Sequence, residues 1–518
     1  MTDRTPEEIR QDLLDRRDTI RDEMGSIDRI ERQHDRGRYT IRERIDQMLD
    51  PGSFSEIGTF ARSERPEVRD TTPGDGKIGG WGRVDGRHVA VSGDDVTVLH
   101  GSSSVVGGKR TRRIYDQAIR QGVPYIYFGE TGGGRLPDLL GSEGFSKITP
   151  DLEAARRVRR IPVATAIVGE SFGSSSFQSD FSDFVVQVRG SSLAVSSPRV
   201  IEIATGATVS LEELGGVDVH LKQTGQIDRG AETEEEAMEL IRQFLSYMPS
   251  NSWSLPPERD FDEEIPPDPT IGDLVPTKRN RAYDMHRVIE RLVDDGEYLE
   301  LKPQYGRSLL TVLARMGGRS VGILASNPMV NAGALSPESC DKGTLFLCLC
   351  DANNIPLVFL QDVPGFIVGK QPEHDRLLSR AIMFLEALGQ TQVPRFTVLL
   401  RKAFGLAYFG LSGNSMDNAL ITAWPGAQIS FMDPEVGVNV VHARSIQEAA
   451  DPDAERQRLI DEWSLDQDPF GAAGNMNLDE IIDLADTRRI LVEAVRRHVI
   501  TQAPRDRPRP LAYWPTCL

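Results

Sequence analysis

Four glycine turns carry the clearest chemical potential in this chain. They are Gly132-Gly133-Gly134 and Phe172-Gly173-Ser174-Ser175 in the first half, with Pro364-Gly365-Phe366 and Phe404-Gly405-Leu406-Ala407 in the second. A backbone N–H at a strand-to-helix turn can stabilise negative charge developing on a carbonyl oxygen. Each well-placed donor lowers the barrier by about 3–4 kcal/mol. Glycine suits such a place because its backbone accepts unusual φ/ψ and lets a ligand come close. Taken singly, each of these glycines also reads as a plain strand terminator.

Their arrangement argues for more than termination. Pro124 and Pro356, Gly133 and Gly365, Pro162 and Pro394, and Gly173 and Gly405 are each 232 positions apart. A constant internal offset marks duplicated structural units. Chance likeness between apolar strands would not keep register from Pro124 through Gly173. The expectation is two tandem copies of one α/β domain, two oxyanion-binding sites and a reaction that needs both.

The elements that must position these turns follow from pattern. Residues 1–50 read as helical: Thr5 is an N-cap before Pro6-Glu7-Glu8, and Ile9, Leu13, Leu14 and Ile20 recur near helical spacing. Asp50-Pro51-Gly52-Ser53 breaks that pattern. Short β-type runs follow at Gly80–Gly86 and His88–Ser92, and from residue 110 apolar strands alternate with amphipathic helices. Six prolines between Pro256 and Pro276 lie among acidic residues and read as an extended crossover. The domain reading is 1–255, a linker at 256–282, and 283–518. A last helix is expected around Asp486–His498. Beyond it the tail carrying Pro504, Pro508, Pro510 and Pro515 among arginines is expected on the surface.

Bulk properties exclude several classes. A chain of 518 residues is long for one core. A net charge of −18 argues against nucleic acid as the main partner, although Lys109-Arg110-Thr111-Arg112-Arg113 leaves room for a small anion. No apolar run is long enough for a membrane span, and the first 30 residues lack a signal-type core. Cys340, Cys348, Cys350 and Cys517 match no zinc or redox spacing. Buried thiols in a reducing, cytoplasmic compartment are expected, with no metal site.

Several segments resemble the carboxyltransferase (β) subunits of biotin-dependent acyl-CoA carboxylases of the propionyl-CoA and methylcrotonyl-CoA type. They are Gln33-His34 through Gly37, Thr40, Glu43 and Arg44 to Leu49-Asp50-Pro51-Gly52-Ser53-Phe54; Tyr283-Asp284-Met285; Asp362-Val363-Pro364-Gly365-Phe366; Arg401-Lys402-Ala403-Phe404-Gly405; and Ala423-Trp424-Pro425. The resemblance spans nearly the whole chain. It implies a crotonase-type fold in each half and a hexamer in which the N-domain of one subunit pairs with the C-domain of another. It implies that acyl-CoA lies on the N-domain, its thioester enolate held at Gly173 and Ser174 with Gly132, Gly133 and Gly134 alongside. Carboxybiotin would meet Gly405, Leu406 and Ala407, flanked by Gly365, Phe366, Tyr408 and Phe409. Such a mechanism relies on alignment and backbone donors, with the biotin anion taking the α-proton, which accounts for the lack of a catalytic triad. No biotin-attachment or ATP-grasp segment is evident, so a biotin carboxylase and a biotin carboxyl carrier would come from a partner.

The departures from that pattern gather on the biotin side. Leu406 stands where the family has glycine, Phe409 where propionyl-type enzymes have Asp, and Arg376-Leu377-Leu378 replaces a glycine-containing segment. One reading is an unusual acyl-CoA. Others are a biotin-independent decarboxylase or related enolate-forming enzyme using Glu130, Glu170, Asp180, Asp183 or Asp362 as an acid, and a weakly catalytic subunit that supports a hetero-oligomer.

Overall fold

The computed structural model describes residues 4–147, 158–262 and 264–516. The chain separates into two compact units, one reaching Ser246 and joined by Pro515, the other running from Tyr247 to Trp514. Each holds an eight-stranded mixed sheet. The first contains β1 (Ser55–Glu56), β2 (Lys77–Val84), β3 (Arg87–Asp94), β4 (Tyr125–Thr131), β5 (Val163–Phe172), β6 (Phe184–Val188), β7 (Ser192–Ala194) and β8 (Arg229–Ala231). The second contains β9 (Tyr298–Leu301), β10 (Leu309–Met316), β11 (Arg319–Ser326), β12 (Leu357–Val363), β13 (Arg395–Phe404), β14 (Leu420–Ala423), β15 (Gln428–Ser430) and β16 (Glu480–Ile481). Strand order is β1-β2-β3-β4-β5-β6-β8 in one and β9-β10-β11-β12-β13-β14-β16 in the other, with β7 on β5 and β15 on β13. The duplication expected from sequence is thus present. Strands β2 to β5 begin and end 232 positions before β10 to β13.

The local reasons repeat as well. An antiparallel hairpin opens each pair, β2–β3 turning at Asp85-Gly86 and β10–β11 at Gly317-Gly318, all four with positive φ. That geometry matches the twist of a two-residue hairpin. The central strands β4, β5, β12 and β13 pair in parallel and are almost wholly buried, as their continuous apolar runs require. In the second unit Val312, Ile323, Val358, Phe396 and Val398 form the core with Met285, Val288 and Ile289 of the Met285–Leu292 helix.

The Pro6–Glu23 helix starts at Thr5 with a reciprocal Thr5/Glu8 capping box, yet none of its residues is buried. The Pro-rich stretch lies along the second unit: Arg259 N–H donates to Gly318 O at 2.9 Å, and Ile271 and Val275 join the core. The last helix spans Thr487–Arg497. The tail after it lies largely on the surface as expected, with Pro504, Arg505, Arg507, Pro510 and Pro515 exposed, but it is pinned at one point. Arg509 and Leu511 are buried, and the Pro510–Tyr513 turn packs on the Pro337–Ala352 helix. Arg509 is the anchor: its Nη1 donates to the Asp351 carbonyl at 2.6 Å and lies 3.6 Å from the Asp351 carboxylate, near the end of that helix. Cys340, Cys348 and Cys350 are buried and form no disulfide, and burial pushes the Cys340 and Cys350 thiols up. Cys517 lies outside the described residues. No described helix is long and apolar enough to cross a membrane.

Candidate active site

In the first unit the two glycine turns leave the carboxyl ends of adjacent parallel strands. β4 and β5 pair evenly to Gly129↔Ile167, then shift register to Thr131↔Ser171. Gly173 follows at φ 68°, ψ −119°, a conformation L side chains rarely adopt. A Cβ built there would lie 3.8 Å from Gly133 Cα, so the turns face one another. Gly133, itself at φ 104°, donates its N–H to Thr131 Oγ1 at 3.2 Å. Its carbonyl accepts from Ser103 N–H at 2.8 Å, while Gly132 N–H donates to His100 O at 3.0 Å. Gly132 and Gly134 are exposed. Ser174 opens the Ser174–Asp180 helix, whose first N–H groups have no acceptor within the helix.

The second unit repeats this frame. β12 and β13 shift between Gln361 and Val363, ending at Val363↔Ala403, and Gly365 and Gly405 take φ 139° and 62°. Leu335 N–H donates to Gly365 O at 3.1 Å, as Ser103 does to Gly133, and Leu335 bridges to Phe366. The lining differs in residue type and not in burial: Ala407 and Tyr408 are buried like Ser175 and Ser176, while Leu406 (50%) and Phe409 (39%) are exposed like Ser174 and Phe177. The Leu406 side chain is thus half in solvent rather than packed beneath its turn. The Phe409 ring centroid sits 4.9 Å from that of Tyr408. Arg376, at φ 66°, precedes the Leu377–Gln390 helix.

The carboxylates near the turns are mostly committed elsewhere. Glu130 accepts from Arg44 Nη1 at 2.7 Å, Gln33 Nε2 at 3.2 Å and Arg38 Nη1 at 3.3 Å. Asp362 is held by Arg401 Nη2 at 2.8 Å and by Lys402 Nζ at 3.3 Å. Burial pulls the Lys402 ammonium below the ordinary lysine range, and Asp362 opposes that shift. Asp183 is pushed up to about 6 by burial, which the charge of Arg159 partly offsets. It accepts Val163 N–H at 2.9 Å, at the amino end of β5, whereas Gly173 follows that strand's carboxyl end. Ten residues of strand span roughly 30 Å, so Asp183 cannot serve that turn. Asp180 lies at the far end of its short helix and accepts Thr516 Oγ1 on its backbone carbonyl. Glu170 is exposed on β5.

A carboxyl transferase domain model matches residues 32–512. The chain belongs to the carboxyl transferase family. It is 34% identical over 487 residues to the methylmalonyl-CoA carboxyltransferase 12S subunit of Propionibacterium freudenreichii subsp. shermanii, covering 93% of this chain and 92% of that one. It is 35% identical over 497 residues to the carboxyltransferase subunit of propionyl-CoA carboxylase from Haloferax mediterranei, covering 93% and 96%. A transcarboxylase 12S crystal structure with methylmalonyl-coenzyme A and methylmalonic acid bound superposes with a TM-score of 0.89 at 34% identity, covering 95% of each chain. The two crotonase-like domains expected from sequence are those of this carboxyl transferase.

Within each unit of the carboxyl transferase, the structure brings the expected turn residues together. Gly132, Gly133 and Gly134 gather with Gly173 and Ser174, while Gly365 and Phe366 leave the strand adjacent to the one that ends at Gly405, Leu406 and Ala407. Sequence reasoning took Gln33 and Arg44 only as family markers. In the fold Arg44 is buried and binds Glu234 at 2.6 Å as well as Glu130, tying the Ile41–Met48 helix to the end of β4. The available signal was a charged residue within an apolar helical stripe, Ile41, Arg44, Ile45 and Met48.

Proposed function

We propose that this carboxyltransferase moves a carboxyl group between biotin on a partner subunit and the α, or vinylogous, carbon of an acyl-CoA. The observation that carries the reading is the pair of equivalent glycine turns, Gly173 and Gly405, in two copies of one frame. Gly173 and Ser174 present N–H groups to the thioester oxygen, and Gly132–Gly134 leave room for the acyl group beside them. Gly405, Leu406 and Ala407 present theirs to the ureido oxygen, with Gly365, Phe366, Tyr408 and Phe409 as the surrounding wall. Biotin supplies the carboxyl group and takes up the α-proton, so a C–N bond breaks as a C–C bond forms. The chain's own contribution is to align both reactants and stabilise oxygen-centred charge. Glu130 and Asp362 are bound in ion pairs, which favours this donor-based chemistry over side-chain acid catalysis.

The assembly in this reading is a homo-hexamer served by a biotin carboxylase and biotin carboxyl carrier, in the cytoplasm. The test is carboxyl transfer from a panel of α-carboxyacyl-CoAs to free biotin, then the forward reaction with a carrier partner, ATP and bicarbonate. Biotin-dependent transfer by an oligomer is expected. A fully active monomer, or decarboxylation indifferent to biotin, would overturn the reading.

A further inference from the structure

Comparing the two units residue by residue isolates a group that the shared frame does not need. Under the first unit's turns lies a buried polar cluster. Asp94, at the end of β3, accepts from Lys77 Nζ and, at 2.9 Å, from the Tyr127 hydroxyl. Its second oxygen accepts Glu130 N–H at 3.1 Å. Lys77 Nζ also donates to Gly101 O at 2.8 Å. Beside the Gly173 turn, Ser175 pairs with Ser171. All five side chains are buried.

Their equivalents 232 positions later are Leu309, Ser326, Phe359, Ala403 and Ala407. There the one retained polar link is Ser326 Oγ, which accepts Asp362 N–H at 3.1 Å. The following loop nevertheless closes in the same way: Leu99, His100 and Gly101 at φ 48°, 58° and 62° match Asn331, Ala332 and Gly333 at 48°, 54° and 86°. The second unit is an internal control, showing that the frame forms without these particular residues, its loop carbonyl Ala332 O accepting from Lys402 Nζ at 3.5 Å instead. A buried ion pair carries a desolvation cost, and well-packed apolar replacements are often neutral or stabilising. The cluster does supply directional ties. It holds Gly101 O and Glu130 N–H together, and the Gly101 loop in turn holds Gly132 through His100 O and Gly133 through Ser103 N–H.

We infer that Lys77, Asp94 and Tyr127 are positioning residues for the acyl site, fixing the Gly132–Gly134 turn against the Gly173 turn; this rests on the reading that the first unit binds the thioester. The test installs the second unit's residues: Lys77→Leu, Asp94→Ser and Tyr127→Phe together, assayed with the most active α-carboxyacyl-CoA of a panel and free biotin. The expected result is an unchanged or raised melting temperature, with kcat lower by about 10- to 100-fold and KM moved by less than about threefold. Tyr127→Phe alone, which keeps the ion pair, should give a smaller loss of kcat at the same KM. Native kcat in the triple variant, a change confined to KM, or failure of the triple variant to fold would each overturn the inference. Gly173→Val is measured alongside. If it too retains turnover, the thioester reading itself fails. If it loses turnover while the triple variant does not, only the positioning role falls.

Discussion

At the ends of β4 and β12 the two units meet one requirement from opposite directions. Glu130 and Asp362 occupy equivalent places, each buried beneath the first glycine turn. In the first unit Gly169 on β5 leaves the space that Glu130 fills, since a Cβ there would lie 2.5 Å from its side chain. The cation arrives from outside the sheet, as Arg44 of the Ile41–Met48 helix. In the second unit the residue equivalent to Gly169 is Arg401, which reaches Asp362 from the neighbouring strand. Arg401 also donates to the carbonyls of Pro276, Lys278 and Arg281 and lies over the Tyr283 ring. A duplicated backbone therefore constrains where a charge must be neutralised. It leaves the source of the counter-charge free, because an ion pair needs proximity rather than a given chain position.

The largest effect should come from removing one side of that comparison. Arg44→Leu leaves Glu130 and Glu234 buried with their main cation gone, and truncating one partner of a buried pair costs about 3–5 kcal/mol. Arg401→Leu should cost less, because it strips one carboxylate, Asp362, which Lys402 still holds, where Arg44→Leu strips two. Chemical denaturation of both variants measures the difference, and equal losses would show that Lys402 contributes little.

The turns themselves come next. Gly173→Val forces a β-branched residue to φ 68°, and turnover should fall about 100-fold or more with a smaller effect on CoA affinity. Gly405→Val, where a Cβ would meet Phe431 O at 3.2 Å, should instead impair transfer to biotin while leaving acyl-CoA binding intact. Isothermal titration with acyl-CoA alongside steady-state kinetics separates the two. Identical profiles would mean the units do not divide the reactants.

A smaller effect is expected at the exposed aromatic rings Phe409 and its equivalent Phe177. Phe409→Asp should shift the preference among acyl-CoAs toward propionyl-CoA by about 1–3 kcal/mol while biotin-dependent transfer stays measurable. The same change at Phe177 provides the paired comparison, and an unaltered ranking at Phe409 would show that the wall of the biotin site does not reach the acyl group.

The smallest effect is a pH dependence confined to the second unit. His286 is raised to about 9 by hydrogen bonding to Glu300, reinforced by Asp284. Because the folded value lies above the ordinary 6.5, its stabilisation is complete below that pH and is lost as pH rises through 9. Melting temperatures of the native protein and His286→Gln should diverge at pH 6 and converge near pH 10. Parallel curves would rule out the linkage.

Much of this was legible in one dimension. The 232-residue offset, the strands and the glycine turns are local patterns, and pattern survives without knowledge of packing. The Thr5 cap and the last helix were legible for the same reason, since a cap and its first turn are neighbours in sequence. What only the tertiary structure decided are the meetings of distant segments. Arg44 and Glu130 stand 86 positions apart, and Arg509 and Asp351 stand 158 apart. The Pro-rich tail was legible as surface except at Arg509, because composition carries no information about which buried segment a returning arginine will meet. Asp183 looked near the turn by number and lies at the opposite end of β5, since an extended strand separates what sequence places side by side. Backbone conformation is written locally by steric preference and hydrophobic period. Charge neutralisation is set by the low dielectric of a buried site, and that site exists only once the chain has closed around it.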